Sequence, residues 1–134
     1  MQDNIIFENL FLDVEFEDFI SIVGPNGAGK STFLKTLIGS VKKNSGTIFF
    51  NKKSKISFIP QISEISNQIL ISNLEVIKTG FIDKFFFRKN EIEKKINFWA
   101  EEFKIKDFLY KKFSEMSVGQ KQKVLFIRSI VSDP

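Results

Sequence analysis

The sequence contains no cysteine, so neither a disulfide nor a thiolate metal site can belong to its chemistry. No apolar run approaches the roughly 18 residues a membrane-spanning helix requires. The opening Met1-Gln2-Asp3-Asn4 has neither the basic start nor the apolar stretch of a secretion signal. The expected setting is therefore cytoplasmic, with any membrane attachment made through a partner. There is also no internal repeat and no linker rich in proline, glycine or serine. The 134 residues read as one domain, long enough to bury a core but short for a large doubly wound α/β protein.

What is present is ordinary for a soluble folded chain: 43% hydrophobic and 27% charged residues. The net charge is +4, which raises the question of nucleic acid or anionic lipid. The lysines, however, are scattered in pairs at 42–43, 52–53, 94–95 and 111–112 and interleaved with Asp and Glu. Mixed charge of this kind marks a solvated face, and Phe, Ile, Lys and Asn are over-used together, as drift toward AT-rich codons produces. No nucleic-acid partner is expected.

Along the chain, residues 5–16 alternate loosely, which suits a strand or hairpin with one wet face. Residues 19–23 form a short apolar run, expected as a strand buried on both faces. Residues 30–38 read as a helix with Phe33, Leu34, Leu37 and Ile38 inward and Gly39 as its stop. Residues 47–50 and 56–59 are expected strands around a polar turn at 51–54. Beyond Gln61 the pattern turns helical. Asn90 and Glu93 are spaced as a capping box, followed by Ile92, Ile96, Trp99, Ala100 and Phe103 at helical intervals. A further helix is expected from Gly119 to about residue 131, with Val124, Ile127 and Val131 on one face. Strands followed by helices give an α/β class whose pattern is unfinished at the last residue.

Chemistry enters with Gly24-Pro25-Asn26-Gly27-Ala28-Gly29-Lys30-Ser31-Thr32, which satisfies G-x-x-x-x-G-K-[ST] between an expected buried strand and an expected helix. Glycines let the backbone curl so that several N–H groups converge on one anion. The helix that follows directs its positive end at the same place. Lys30 supplies a mobile charge for the β- and γ-phosphates, and the Ser31 hydroxyl can join the shell of a Mg²⁺ that accompanies ATP. Nucleoside triphosphate is the expected ligand of residues 24–32.

The spelling of this loop resembles the ATP-binding cassette (ABC) ATPases, and two later segments strengthen the resemblance. Ile59-Pro60-Gln61 is similar to the family's glutamine loop, which implies that Gln61 orients Mg²⁺ and the attacking water. Met116-Ser117-Val118-Gly119-Gln120-Lys121-Gln122 resembles the family signature Leu-Ser-Gly-Gly-Gln, with Arg128 and Asp133-Pro134 in register behind it. The resemblance implies that Ser117, Gly119 and Gln120 meet nucleotide held by a second ATPase subunit, head to tail. Val118 stands where the family has glycine, which would strain the backbone if that position needed a positive φ. The implied fold is a P-loop nucleoside triphosphate hydrolase fold, incomplete here. Its core would be residues 1–62 and 119–134, with an inserted helical subdomain at 63–118 that meets the membrane permease. The subdomain is too short for the coiled-coil relatives that repair DNA or organise chromosomes. Residues 73–80, then Phe85-Phe86-Phe87-Arg88, resemble the metal-ion and iron-chelate importers of the family. A phenylalanine cluster buried in the subdomain, or docked on a permease helix whatever the cargo, reads equally well.

By the same resemblance, four apolar residues and Asp-Glu (the Walker B segment) would follow Asp133-Pro134, and a histidine would come later. The chain holds neither, and no histidine at all. No catalytic carboxylate is therefore assigned, Ser31 and Gln61 are the metal-facing residues, and these 134 residues are expected to bind ATP without turning it over. No Tyr or Trp precedes the loop to stack on adenine. A sheet with an unfilled place is expected to leave apolar side chains near residues 19–23 uncovered. The expected full-length function is ATP hydrolysis driving transport, with the ATPase peripheral on the cytoplasmic face of the membrane. The alternatives are a non-hydrolysing nucleotide-binding remnant and a soluble ABC protein acting in translation or DNA handling.

Overall fold

The computed structural model describes residues 6–51, 55–65, 70–81, 88–131 and 133–134. The chain divides into two compact units, Met1–Phe50 and Asn51–Pro134.

Among the described residues of the first unit the regular element is helix α1, Lys30–Leu37. It ends as expected. Gly39 adopts φ 76°, its N–H donates to Thr36 O at 3.1 Å, and Ser40 N–H donates to Lys35 O at 2.8 Å. These are the two bonds of a Schellman ending, and only a residue tolerant of left-handed φ completes them cheaply. Phe33, Leu37 and Ile38 are half-buried as the helical spacing predicts, whereas Leu34 is exposed. The Phe33 ring meets the edge of Phe7 at 5.5 Å between centroids.

The strands expected at 5–16, 19–23, 47–50 and 56–59 differ from what is seen. Among the described residues none of these segments forms a ladder; residues 1–5 and 52–54 lie outside them. A tight turn does separate two extended stretches. Asp18 N–H donates to Glu15 O, the Asp18 carboxylate accepts Glu15 N–H at 2.8 Å, and Glu17 takes φ 70°. The physical reason for the difference is that a strand's hydrogen bonds all lie in its neighbours. Alternation marks a face to be covered and cannot supply the cover. Accordingly Phe16 and Phe19 are each 93% exposed.

The second unit is helical. Helix α2 is Asn73–Lys78, α3 is Lys89–Glu102 and α4 is Val118–Ile130. Val76 and Ile77 of α2, Ile96 and Ala100 of α3, and Val124 and Ile127 of α4 share one buried core, closed by Phe81, Ile105, Leu109 and Phe113. Full burial of each large apolar side chain is worth about 1.5–3 kcal/mol. Packing is close at the end of α2, where a Cβ on Gly80 would lie 1.9 Å from the Arg128 carbonyl oxygen of α4. Beside it Arg128 Nε donates to Thr79 Oγ1 at 2.8 Å.

The start of α3 also corrects an expectation. Its N-cap is Arg88, and the Glu91 carboxylate accepts Arg88 N–H at 3.0 Å. Asn90 and Glu93 are already inside the helix, because the acid that closes the box must stand three residues after the cap. At the other end Lys104 takes φ 54°, Ile105 N–H donates to Ala100 O, and the Lys123 ammonium donates to Phe103 O at 3.1 Å. Helix α4, which the sequence reading placed with the 1–62 core, makes contacts with α2 and α3 within the second unit.

Candidate functional site

The segment 24–32 has the geometry its composition calls for. Gly27 and Gly29 take φ 82° and 85°, conformations that L side chains rarely adopt. Gly29 has a second constraint, since a Cβ there would fall 2.2 Å from Ile6 Cγ2. Ala28 N–H closes a turn onto Pro25 O at 3.3 Å, and Phe33 N–H makes the first helical bond to Gly29 O at 2.8 Å. The amides of Lys30, Ser31 and Thr32 therefore lie in the first turn, where no intrahelical acceptor exists.

Among the described residues no side chain caps this helix end. The N-cap Gly29 offers no capping oxygen and the first turn has no acid, while α2, α3 and α4 each receive a side-chain oxygen at their heads. An uncompensated helix start is where an anion gains most from the aligned peptide dipoles. The Lys30 ammonium folds back over the loop and donates to Gly24 O at 2.8 Å and Pro25 O at 2.7 Å. Pro25, Asn26 and Ser31 are exposed around it, and Thr32 is half-buried with its carbonyl accepting the Thr36 hydroxyl at 2.8 Å.

For a divalent ion, Ser31 offers one neutral, hard oxygen beside Lys30. Among the described residues no group of three or more His, Cys, Asp or Glu is assembled to hold a metal. The donor set fits an ion that arrives on triphosphate oxygens and takes one protein hydroxyl.

The other predicted residues lie in the second unit. Gln61 is exposed and extended at the head of a short 3₁₀ turn, Ile62–Glu64, and its carbonyl accepts Glu64 N–H at 2.9 Å. That turn packs against α4. Ser117 is the N-cap of α4: its hydroxyl oxygen accepts Gln120 N–H at 3.3 Å, and Ser117 N–H donates to the Gln120 side-chain oxygen at 3.0 Å. The Gln120 side-chain oxygen thus closes the cap of α4. The Ser117 hydroxyl proton remains to donate, next to the first-turn amides of Val118 and Gly119. Val118 is the first helical residue, 63% exposed and outside the left-handed region, so its branched side chain strains nothing. A Cβ on Gly119 would meet nothing within 4 Å.

Sequence reasoning missed the head of α2. Ser72-Asn73-Leu74-Glu75 spells a capping box and forms one, with the Ser72 hydroxyl accepting Glu75 N–H at 3.2 Å and Ser72 N–H donating to the Glu75 carboxylate at 2.8 Å. These bonds hold the Glu75 carboxyl below the usual carboxylate range, the backbone N–H of Ser72 being the largest cause. Phe85, Phe86 and Phe87 lie outside the described residues.

A glycine loop, an uncapped helix start and a lysine folded over it are the features of a P-loop protein. The chain belongs to the ABC transporter family, whose model matches residues 7–134. It is 34% identical over 139 residues to the zinc uptake system ATP-binding protein ZurA of Listeria innocua, covering 95% of this chain and 54% of that protein. It is 32% identical to the high-affinity zinc uptake system ATP-binding protein ZnuC of Bacillus subtilis, covering 96% and 60%. Among solved structures, a metal-chelate type ABC transporter in an inward-facing conformation shares its fold, with a TM-score of 0.80 and 27% identity. That match spans 95% of this chain and 51% of the other. The backbone course is thus that of the ABC ATPase P-loop fold, even where ladders are not formed. The chain spans about half the length of the curated relatives it matches. Among the described residues no helix is long and apolar enough to cross a membrane.

Proposed function

We propose that residues 24–32 bind MgATP as part of the ATPase subunit of a metal-ion importer. The observation that carries the reading is the uncapped head of α1 beneath a glycine loop, with Lys30 within reach of any anion placed there. The first-turn amides and the loop N–H groups hold the phosphates, and Lys30 exchanges its two carbonyl acceptors for phosphate oxygens. Ser31 supplies the hydroxyl for Mg²⁺, which when bound neutralises charge on the β- and γ-phosphates. Gln61 orients water or metal. Ser117 and the Gly119 N–H act across a head-to-tail pair, donating to the phosphates of the partner's nucleotide, with Gln120 holding the cap that aims them. Residues 63–118 are the helical subdomain that meets a permease, which puts the protein on the cytoplasmic face of the membrane. Zinc is the favoured cargo, from the names of the relatives above.

Lys30→Ala is expected to weaken binding of a fluorescent ATP analogue at least tenfold while the circular dichroism spectrum is unchanged, since the lysine contacts only exposed loop carbonyls. Equal affinity in variant and parent would show that the loop does not hold phosphate. The cargo reading is tested by uptake of a panel of divalent metals into cells with and without the gene; uptake of zinc that is indifferent to the gene counts against it.

A further inference from the structure

The loop that leads into α4 is fastened to the head of α2 by main-chain carbonyls. Asn73 N–H donates to Lys111 O at 3.0 Å, Leu74 N–H donates to Leu109 O at 2.8 Å, and Phe113 N–H donates to Ile71 O at 3.0 Å. Ser72 and Lys112 add an antiparallel bridge. In the middle of this clasp the Asn73 side chain is fully buried, and its Nδ2 donates to Phe108 O at 2.7 Å. Its Oδ1 is buried with no partner. A buried acceptor without a protein partner is a net cost, and leucine, with the same branching, would avoid it. What the side chain contributes in return is geometry, through the bond that ties Phe108 O to the head of α2.

Downstream the chain stays anchored by Phe113, Met116 and Lys121, all buried, while Ser117, Val118 and Gly119 between them are exposed. The position of these exposed donors therefore follows from the position of the loop. We propose that Asn73 is a positioning residue for the Ser117 end of α4, acting through the 108–113 loop; its bearing on nucleotide rests on the head-to-tail reading above.

Asn73→Leu removes the orphaned atom and the Phe108 bond together. Its thermal midpoint is expected to stay at or above the parent's, while amide hydrogen exchange across 108–121 rises at least tenfold and that of α3 is unchanged. Should Asn73→Leu fail to fold, Asn73→Ala is read in its place by the same exchange pattern. Unchanged exchange across 108–121 overturns the proposal, and so does a fall in the midpoint with exchange raised everywhere, which is the mark of a purely structural residue. In the full-length gene product, Asn73→Leu should lower MgATP-driven pairing on light scattering severalfold while monomer affinity for ATP stays within twofold; pairing equal to the parent's overturns it. Ser117→Arg run alongside separates the two readings. If it pairs like the parent, the head-to-tail contact is wrong, and hydrogen exchange alone then decides whether Asn73 holds the loop.

Discussion

The two units treat their apolar side chains in opposite ways. In residues 51–134, Ile77, Ala100, Ile105, Val124, Ile127 and Val131 are wholly buried; in residues 6–50 no side chain reaches that state. The difference follows from where each kind of element finds its hydrogen bonds. Helices satisfy their backbone within themselves, so a short helical stretch needs cover on one face only. Extended segments need neighbours for both backbone and face. Residues 24–32 nevertheless keep their shape although no side chain of residues 6–50 is fully buried, because that shape rests on local terms: the φ angles of Gly27 and Gly29, the turn at Ala28 and the first bond of α1.

The sharpest way to break this contrast is to cut one phenylalanine from each unit. Phe113 is 1% exposed and Phe19 is 93% exposed. Phe113→Ala should cost about 3–5 kcal/mol in urea denaturation, whereas Phe19→Ser should stay within about 0.5 kcal/mol. A large loss from Phe19→Ser would mean that the apolar face of the first unit is covered in solution.

A second test asks whether the loop depends on local backbone alone. Gly27 and Gly29 share nearly the same φ, but only Gly29 lacks room for a Cβ. Left-handed φ costs an alanine of order 1–3 kcal/mol at either place. Gly29→Ala should therefore weaken ATP-analogue binding by tenfold or more, and Gly27→Ala by clearly less. Equal losses would reduce the contact with Ile6 to a bystander.

The same contrast explains what could be read from the sequence. The glycine turn ahead of α1 and the Gly39 stop were legible because a few adjacent residues dictate them. The buried face of α4 was legible because Val124, Ile127 and Val131 repeat at the helical period. Pairing at 5–16 and 19–23 was not, since alternation shows which residues want cover and is silent about what provides it. The head of α3 was misplaced by two residues because Asn90 is the better cap by type, yet Glu91 reaches the backbone of Arg88. Ser72 to Glu75 escaped notice in a stretch too short to show a helical period. The clasp on residues 108–113 is a long-range fit that no local pattern announces.

The smallest effect expected sharpens the comparison between a bare helix head and a capped one. At α1 no acid stands in the first turn, so no carboxylate there links its stability to pH; at α2 Glu75 closes the box on Ser72. The Glu75 carboxyl is held below its ordinary value by the Ser72 N–H and then by the Ser72 hydroxyl. A carboxyl with a depressed folded value contributes its full stabilisation above the unfolded value and loses it as the pH falls through the folded one. The contribution should thus be constant from neutral pH down to the ordinary carboxylate range and fade below it. Because Glu75 is exposed, water and salt screen it, and the effect is small. Glu75→Gln keeps a side-chain oxygen for the Ser72 N–H but cannot ionise. Urea midpoints for parent and variant should run parallel near neutrality and converge in acid, with the parent losing more. Curves that stay parallel into acid would show that Glu75 caps α2 as a neutral acceptor does, and that its charge adds nothing to the helix head.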